Sequence, residues 1–425
     1  MSWVIHCSGN IIIIDIDING NYVDVKRRWK QGTDHGFRRM SDGLILVCPG
    51  FEKHWSIGVS ISRRDALKGS LVSAASLLLA QPNQIFAGNS DRQLELSAAG
   101  YAYNHVQAFM TGTAKVEGCK TEFEIDTVGK MNTHIFSGPQ TRAVTEVGLG
   151  PFMLAYANDN FRDYSLIPVF PLRTFRHRSI FVHSDAGIER PSQLKGKRVA
   201  TPGYSSTSLQ WIRGVLQDEY GVRPEDIEWV VSAKDSAVAT SGAPSKNENV
   251  FPERLTVSDG PAGKDESDLL LDGNVDALFH AVEPRAFVEG NPKVRRLFGD
   301  VRATETDYYA RTGIFPIMHA VAIRNDLIDD HPWLPEAVFD AYSESKTIAY
   351  AEMQKNNFFG TLPWNALEIE ETQQLMGKNF WPYGIESSRK SLETLFRYSH
   401  EQGLTSRRLT IEELFVASTL GLTES

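Results

Sequence analysis

The 425-residue chain is 41% hydrophobic and 23% charged, with a formal net charge of −9 at pH 7. That balance fits a soluble globular protein and excludes general affinity for nucleic acid, which needs an excess of Lys and Arg. Cys7 and Cys48 fall in the N-terminal segment and Cys119 stands alone beyond it, so the main body has no internal disulfide and no cysteine pattern for a metal.

In chain order, the first sixty residues hold one isolated apolar run, IIIIDIDI from Ile11, then basic VKRRWK and a Gly-dotted stretch. No sustained periodicity accompanies them, so residues 1–61 read as a non-structural extension or an upstream mis-start. Met40, or a non-ATG start at Val59, would open a shorter chain. Residues 62–88 read as an export signal of the twin-arginine type. Arg63-Arg64 within SRRDALK precede an uncharged, weakly apolar run from Leu71 to Ala80, and small Ala87 within IFAGN would precede a cut. That run is shorter than the twenty or so apolar residues a transmembrane helix takes, so no stable membrane anchor is expected. An amphipathic surface helix that begins with two arginines is the plainer alternative.

From about Asn89 onward, strands and helices alternate. LELSAAGY (Leu94–Tyr101), YSLIPVF (Tyr164–Phe170), RSIFVHS (Arg178–Ser184), KRVATPG (Lys197–Gly203), IEWVVS (Ile227–Ser232), VDALFHAV (Val275–Val282) and MHAVAIRND (Met318–Asp326) are short, rich in Val, Ile and Phe, and bounded by Gly or Pro. SSTSLQWIRGVLQDEYG, DLLLDG and a long series from Pro335 carry helical patterns. The alternation predicts an α/β architecture with mostly parallel sheets, and the length predicts two lobes. Residues 233–265, rich in Ser, Asn, Pro and Gly, read as a long polar loop rather than core. In TPGYSSTS, small hydroxyl residues open a helix after a buried strand, which aims backbone N–H groups outward at a carboxylate or phosphate. Tyr204, Ser205, Ser206 and Thr207 are therefore candidate ligand contacts.

LKGKRVATPGYSSTS, taken with the later GNVDALF, resembles the type II periplasmic-binding-protein fold, in which two α/β lobes joined by two crossover strands close over a small ligand. Within that fold, IPVFPLRTFRHRSIFVHSDAGI, WIRGVLQDEYGV, YYARTGIFPIMHAVAIRND and MGKNFWPYGIESSRKSLETLFRYSHEQGL resemble the 4,5-dihydroxyphthalate decarboxylase family, almost continuously from Ile167 to Phe415. The likeness implies lobe 1 from 89–176 with 319–425, and lobe 2 from 177–318. It weakens between Leu94 and Asp163. The family's pattern carries an Asp-Arg pair after the first strand where this chain has Tyr103-Asn104, and TRAVTEVGLGP stands where the family has another strand.

The activity so implied removes one carboxylate from a hydroxylated aromatic dicarboxylate without a redox cofactor. A ring hydroxyl para to the departing carboxylate pushes electrons toward the carbon that must be protonated. Such a site needs cations for two carboxylates, a general acid, and a group that polarises the phenol. Arg173, Arg176, His177 and Arg178 crowd PLRTFRHRS just before a strand, so Arg173 and Arg176 are candidate carboxylate ligands and His177 is the leading proton donor. A solvated basic turn gives the same pattern. His319, on the predicted return crossover, and His280, at a strand end with Glu283 and Arg285 close behind, are the further candidates, since strand ends face the cleft in open α/β sheets. No cofactor is expected. A divalent metal is chemically feasible on three histidines and Glu283, but no HxH or HExxH spacing indicates one. The alternative function is an exported periplasmic solute-binding protein that hands an aromatic or other small anion to an importer permease, because this fold serves both classes. The compartment is periplasmic if the twin-arginine signal operates and cytoplasmic otherwise.

Overall fold

The computed structural model describes residues 93–356 and 361–424 together with three strands near the N-terminus. The chain divides into two compact units, Met1–Ser90 and Asp91–Ser425. In the first, β1 (Ser2–Cys7), β2 (Asn10–Ile16) and β3 (Val23–Arg28) pair antiparallel in that order, with the isoleucine run as the central strand. The twin-arginine stretch, its Ile85–Asn89 end and the alternative starts at Met40 and Val59 lie outside the described residues.

The second unit lays down β4 (Leu94–Gly100), β5 (Cys119–Ile125), β6 (Val144–Gly148) and β7 (Tyr164–Ile167), then β8 (Ile180–His183), β9 (Arg198–Thr201), β10 (Glu228–Val231), β11 (Thr256–Asp259), β12 (Ala277–Phe279) and β13 (Val294–Arg296), and last β14 (His319–Arg324). These form a five-stranded sheet, β5-β4-β6-β14-β7, and a six-stranded sheet, β11-β10-β9-β12-β8-β13. The chain passes between the two sheets twice, after β7 and after β13. This is the two-lobed type II periplasmic-binding-protein fold. The sheets are mixed rather than mostly parallel: β14 runs against β6 and β7, and β8 runs against β12 and β13. Strands beside a crossover enter their sheet from the hinge, which reverses them relative to neighbours made by local helical connections. The polar stretch after β10 supplies the exposed edge strand β11.

Helices α1 (Val128–Phe136), α2 (Leu149–Asn158), α3 (Thr207–Tyr220), α4 (Glu266–Leu271), α5 (Val301–Thr312), α6 (Leu334–Asn356) and α7 (Arg389–Glu401) cover the sheets. The most consequential is α3. Ser206 Oγ accepts the Leu209 N–H at its start, and Gly221, at φ 65°, closes it in the left-handed region. Its apolar residues form two stripes: Trp211 and Val215 join the core of lobe 1, while Leu209, Ile212 and Leu216 join that of lobe 2. The Trp211 indole N–H donates to the Ile317 carbonyl at 2.9 Å, tying the helix to the second crossover.

Gly214 lets α7 lie directly on α3. A Cβ there would sit 2.1 Å from Cδ2 of Tyr398, whose hydroxyl is held by Asp218 at 2.6 Å. Gly214→Ala should therefore lower stability by about 1–3 kcal/mol, read as a shifted urea midpoint at unchanged slope. An unshifted midpoint would show that Tyr398 yields freely.

Candidate active site

A cavity of about 390 Å³ lies between the lobes. Lobe 1 contributes Tyr101, Tyr103 and His319, the first crossover contributes Arg176, and lobe 2 contributes Asp235, His280 and the start of α3.

The lobe 1 wall is organised by Glu146, a buried acid within the wholly buried strand β6. Its Oε1 lies 2.5 Å from His319 Nδ1 and accepts the Tyr103 hydroxyl at 2.7 Å, while Oε2 accepts the Tyr101 N–H at 3.0 Å. Because β6 and β14 pair antiparallel with His319 opposite Gly148, the histidine and Glu146 lie diagonally across two adjacent strands. The carboxylate accepts from Nδ1–H, which fixes the ring orientation and leaves Nε2 for the cavity. Tyr101 stacks near the imidazole, with centroids 6.2 Å apart, and burial pushes its phenol up to about 12.

Arg176 is buried at the hinge. Its Nη1 donates to the Ala281 carbonyl at 2.5 Å and its Nε to Met318 Sδ at 3.2 Å, and no carboxylate forms a salt bridge with it among the described residues. Burial, reinforced by the neighbouring Arg178, draws the guanidinium down to about 9, so the site favours an incoming anion. The α3 N-terminus adds uncharged donors: the N–H groups of Thr207 and Ser208 have no acceptor inside the helix, and both residues line the cavity.

On lobe 2, His280 stands just beyond β12, with Nδ1 2.9 Å from the Val282 carbonyl, Nε2 3.0 Å from Asp235 Oδ1 and 3.7 Å from Glu266 Oε1. Burial alone would lower this imidazole, yet the Asp235 hydrogen bond and the charges of Glu266 and Asp235 hold it above its ordinary value. The strap that follows β10 also reaches across to lobe 1. The Tyr101 hydroxyl donates to the Thr240 carbonyl at 3.0 Å and accepts the Val128 N–H at 2.9 Å, and a Cβ on Gly129 would lie 2.2 Å from the Ala243 carbonyl oxygen.

Of the residues predicted from sequence, Arg176, Ser206, Thr207, His280, Glu283 and His319 line the cavity. Five do not. Arg173 donates to the Phe315 and Pro382 carbonyls and to Ser388 Oγ, and it lies over Phe170, so it braces lobe 1. His177 is buried against Phe298 and Tyr308, with Glu305 4.0 Å away. Tyr204 sits beneath Arg213 in the lobe 2 core, and Ser205 donates to the Asn247 carbonyl. Arg285 is held by Asp265 and Asp268. Glu283, although at the cavity mouth, is shared by Arg178 and Arg296. Sequence reasoning missed Tyr101, Tyr103, Glu146, Asp235 and Glu266. Glu146 alone carried a signal, as a single acid inside the apolar run AVTEVG.

Comparison with known proteins gives the following matches. A family model described as NMT1/THI5 like matches residues 169–243. The chain is 32% identical over 332 residues to a 4,5-dihydroxyphthalate decarboxylase of Comamonas testosteroni, covering 77% of this chain and 98% of the relative. It is 29% identical to a protein of the same name from Pseudomonas putida, covering 51% and 82%. Among solved structures, a periplasmic sulfonate-binding protein of Methylobacillus flagellatus KT aligns with a TM-score of 0.47 at 16% identity, covering 78% of this chain and 94% of the other.

Acid titration tests the structural role of His177. Burial and then Arg311 lower its imidazole to about 4, whereas in the unfolded chain it titrates near its ordinary 6.5. The unfolded state thus binds the proton first: the contribution is complete above about pH 6.5 and falls by about 3 kcal/mol as pH drops to about 4. His105, also lowered to about 4 by burial, adds a second such loss. His177→Gln should flatten the fall in stability between pH 7 and 4.5, and an unchanged slope would refute the assignment.

Proposed function

The chain belongs to the 4,5-dihydroxyphthalate decarboxylase family, and from that premise we propose that it removes one carboxylate, as carbon dioxide, from a hydroxylated aromatic dicarboxylate. The observation that carries this reading is the Glu146–His319 pair, which turns a ring nitrogen into a cavity that also holds the unpaired Arg176. Arg176 and the first N–H groups of α3 hold the carboxylates. Tyr101 and Tyr103 border the ring, and His319 acts as general acid, oriented by Glu146. A ring hydroxyl para to the departing group raises electron density at the carbon that bears it, and that carbon takes the proton from Nε2 of the imidazolium. The bond to the carboxylate then breaks, its electron pair restores the aromatic ring, and carbon dioxide leaves. Solvent returns the proton to His319. With 4,5-dihydroxyphthalate the product is 3,4-dihydroxybenzoate.

The second reading, an exported binder serving an importer permease, draws on the twin-arginine-like segment at 62–88. No helix among the described residues is long and apolar enough to cross a membrane. Incubation with 4,5-dihydroxyphthalate separates the two readings: carbon dioxide release supports the enzyme, whereas tight binding with no release over hours supports the binder.

His319→Gln removes the acidic proton but keeps a donor, and should lower kcat about 10²–10⁴-fold while ligand affinity stays within a few-fold. His177→Gln, outside the cavity, should keep kcat near wild type at neutral pH. Collapse in the second variant with retention in the first would reverse the assignment. Arg176→Gln should weaken binding of phthalate by a larger factor than binding of benzoate, because the second carboxylate depends on this guanidinium, which has no acidic partner among the described residues. Equal losses would limit Arg176 to supporting the fold.

A further inference from the structure

We propose that Asp235, Glu266 and His280 form a divalent-cation site in the lobe 2 wall of the cleft, and that the bound cation chelates adjacent ring hydroxyls of the substrate. The first half stands on geometry alone, and the second rests on the decarboxylase reading. One ligand atom from each residue lies within 4.8 Å of the other two, with Nε2 3.0 Å from Asp235 Oδ1 and 3.7 Å from Glu266 Oε1. Ligand atoms that each lie about 2.0–2.2 Å from one ion are separated by about 3–3.5 Å, so the three need to move little to meet a common cation. Two carboxylates with one imidazole suit a hard or borderline divalent ion.

The supporting shell is already built. Nδ1 lies 2.9 Å from the Val282 carbonyl and 3.1 Å from the Val282 N–H, which together hold the ring with Nε2 toward the carboxylates; in the tautomer that donates Nδ1–H to the carbonyl, Nε2 is the free ligand atom, and a cation replaces the proton there. The Ala237 N–H donates to Asp235 Oδ1 at 2.7 Å, and the Ser236 N–H and hydroxyl both donate to Glu266. Among the described residues, neither carboxylate has a Lys or Arg partner, although Glu266 is fully buried. Asp235 follows β10, His280 follows β12 and Glu266 opens α4, so the ligands come from three separate elements and meet at the cavity. Asp235 and His280 line it directly. Three protein ligands leave coordination positions open to two neighbouring phenolic oxygens, and a cation there makes the hydroxyl that must feed electrons into the ring more acidic, favouring its phenolate form.

Manganese(II) is the probe. Equilibrium dialysis of the full chain, checked by the loss of the free-ion electron paramagnetic resonance signal, should give one ion per chain. Glu266→Gln and Asp235→Asn should each weaken binding at least tenfold, with His177→Gln unchanged. Thermal melts identify which variant is folded, and the more exposed Asp235 position supplies the test if Glu266→Gln fails to fold. Adding 4,5-dihydroxyphthalate should alter the spectrum of the bound ion, whereas phthalate, with the same carboxylates and no hydroxyls, should not. Absence of stoichiometric binding, or equal binding in a folded ligand variant, overturns the site. A spectrum indifferent to the hydroxyls overturns the chelation. Neither result depends on turnover, so failure of the decarboxylase reading would appear separately in the carbon dioxide assay.

Discussion

Helix α3 cannot satisfy either lobe without binding the other. Trp211 and Val215 need the lobe 1 core, and Leu209, Ile212 and Leu216 need the lobe 2 core, so one rigid cylinder of fourteen residues is claimed from both sides. Its N-terminus is consequently fixed at the hinge. Gly150 makes this possible from the facing helix, because any side chain there would meet Gln210 and the Thr207 backbone. The N–H donors at this end of the helix therefore derive their position from core packing rather than from a loop. A loop-borne anion site would have to be ordered by its ligand, at a cost in affinity that this arrangement avoids.

The two lobes carry different chemistry. Lobe 1 offers nitrogen and oxygen groups organised around a buried carboxylate, Glu146, whereas lobe 2 offers a cluster of carboxylates and imidazole around His280. Arg176 lies between them, and its hydrogen bonds go to Ala281 beside His280 and to Met318 beside His319. The cation thus touches the chain next to both histidines. Any change in lobe separation alters its environment, which couples the guanidinium's surroundings to the spacing of the two walls.

Much of the scaffold was legible in the sequence. Every strand anticipated from Leu94 to Asp326 is present, because each is a short apolar-rich run near Gly or Pro breaks, most of them carrying Val or Ile, and α3 follows its hydroxyl-rich start. Within the second unit, four strands escaped notice. β5 alternates Lys and Glu with apolar residues, β11 is polar and exposed, β13 is three residues long, and β6 was hidden in the stretch that departs from the family pattern. The site was less legible for a related reason. Arg173, Arg176 and His177 are neighbours in sequence, yet the extended crossover turns them to different sides, and only Arg176 faces the cavity. The family-divergent stretch supplies Tyr103, whose hydroxyl donates to Glu146, and Glu146 itself, whose role arises from pairing with His319 of β14, 173 residues later. No local pattern encodes such a partner.

The contact between the strap and α1 is made by main chain. Gly129 approaches the Ala243 carbonyl, and Tyr101 meets the Thr240 carbonyl, so closure over the cavity reads few strap side chains. At the contact itself, the side chains of Thr240 and Ala243 can vary while the same backbone contact persists. Position 129 bears the opposite burden, since a single added methyl group would hold the two surfaces apart whatever sequence the strap had acquired.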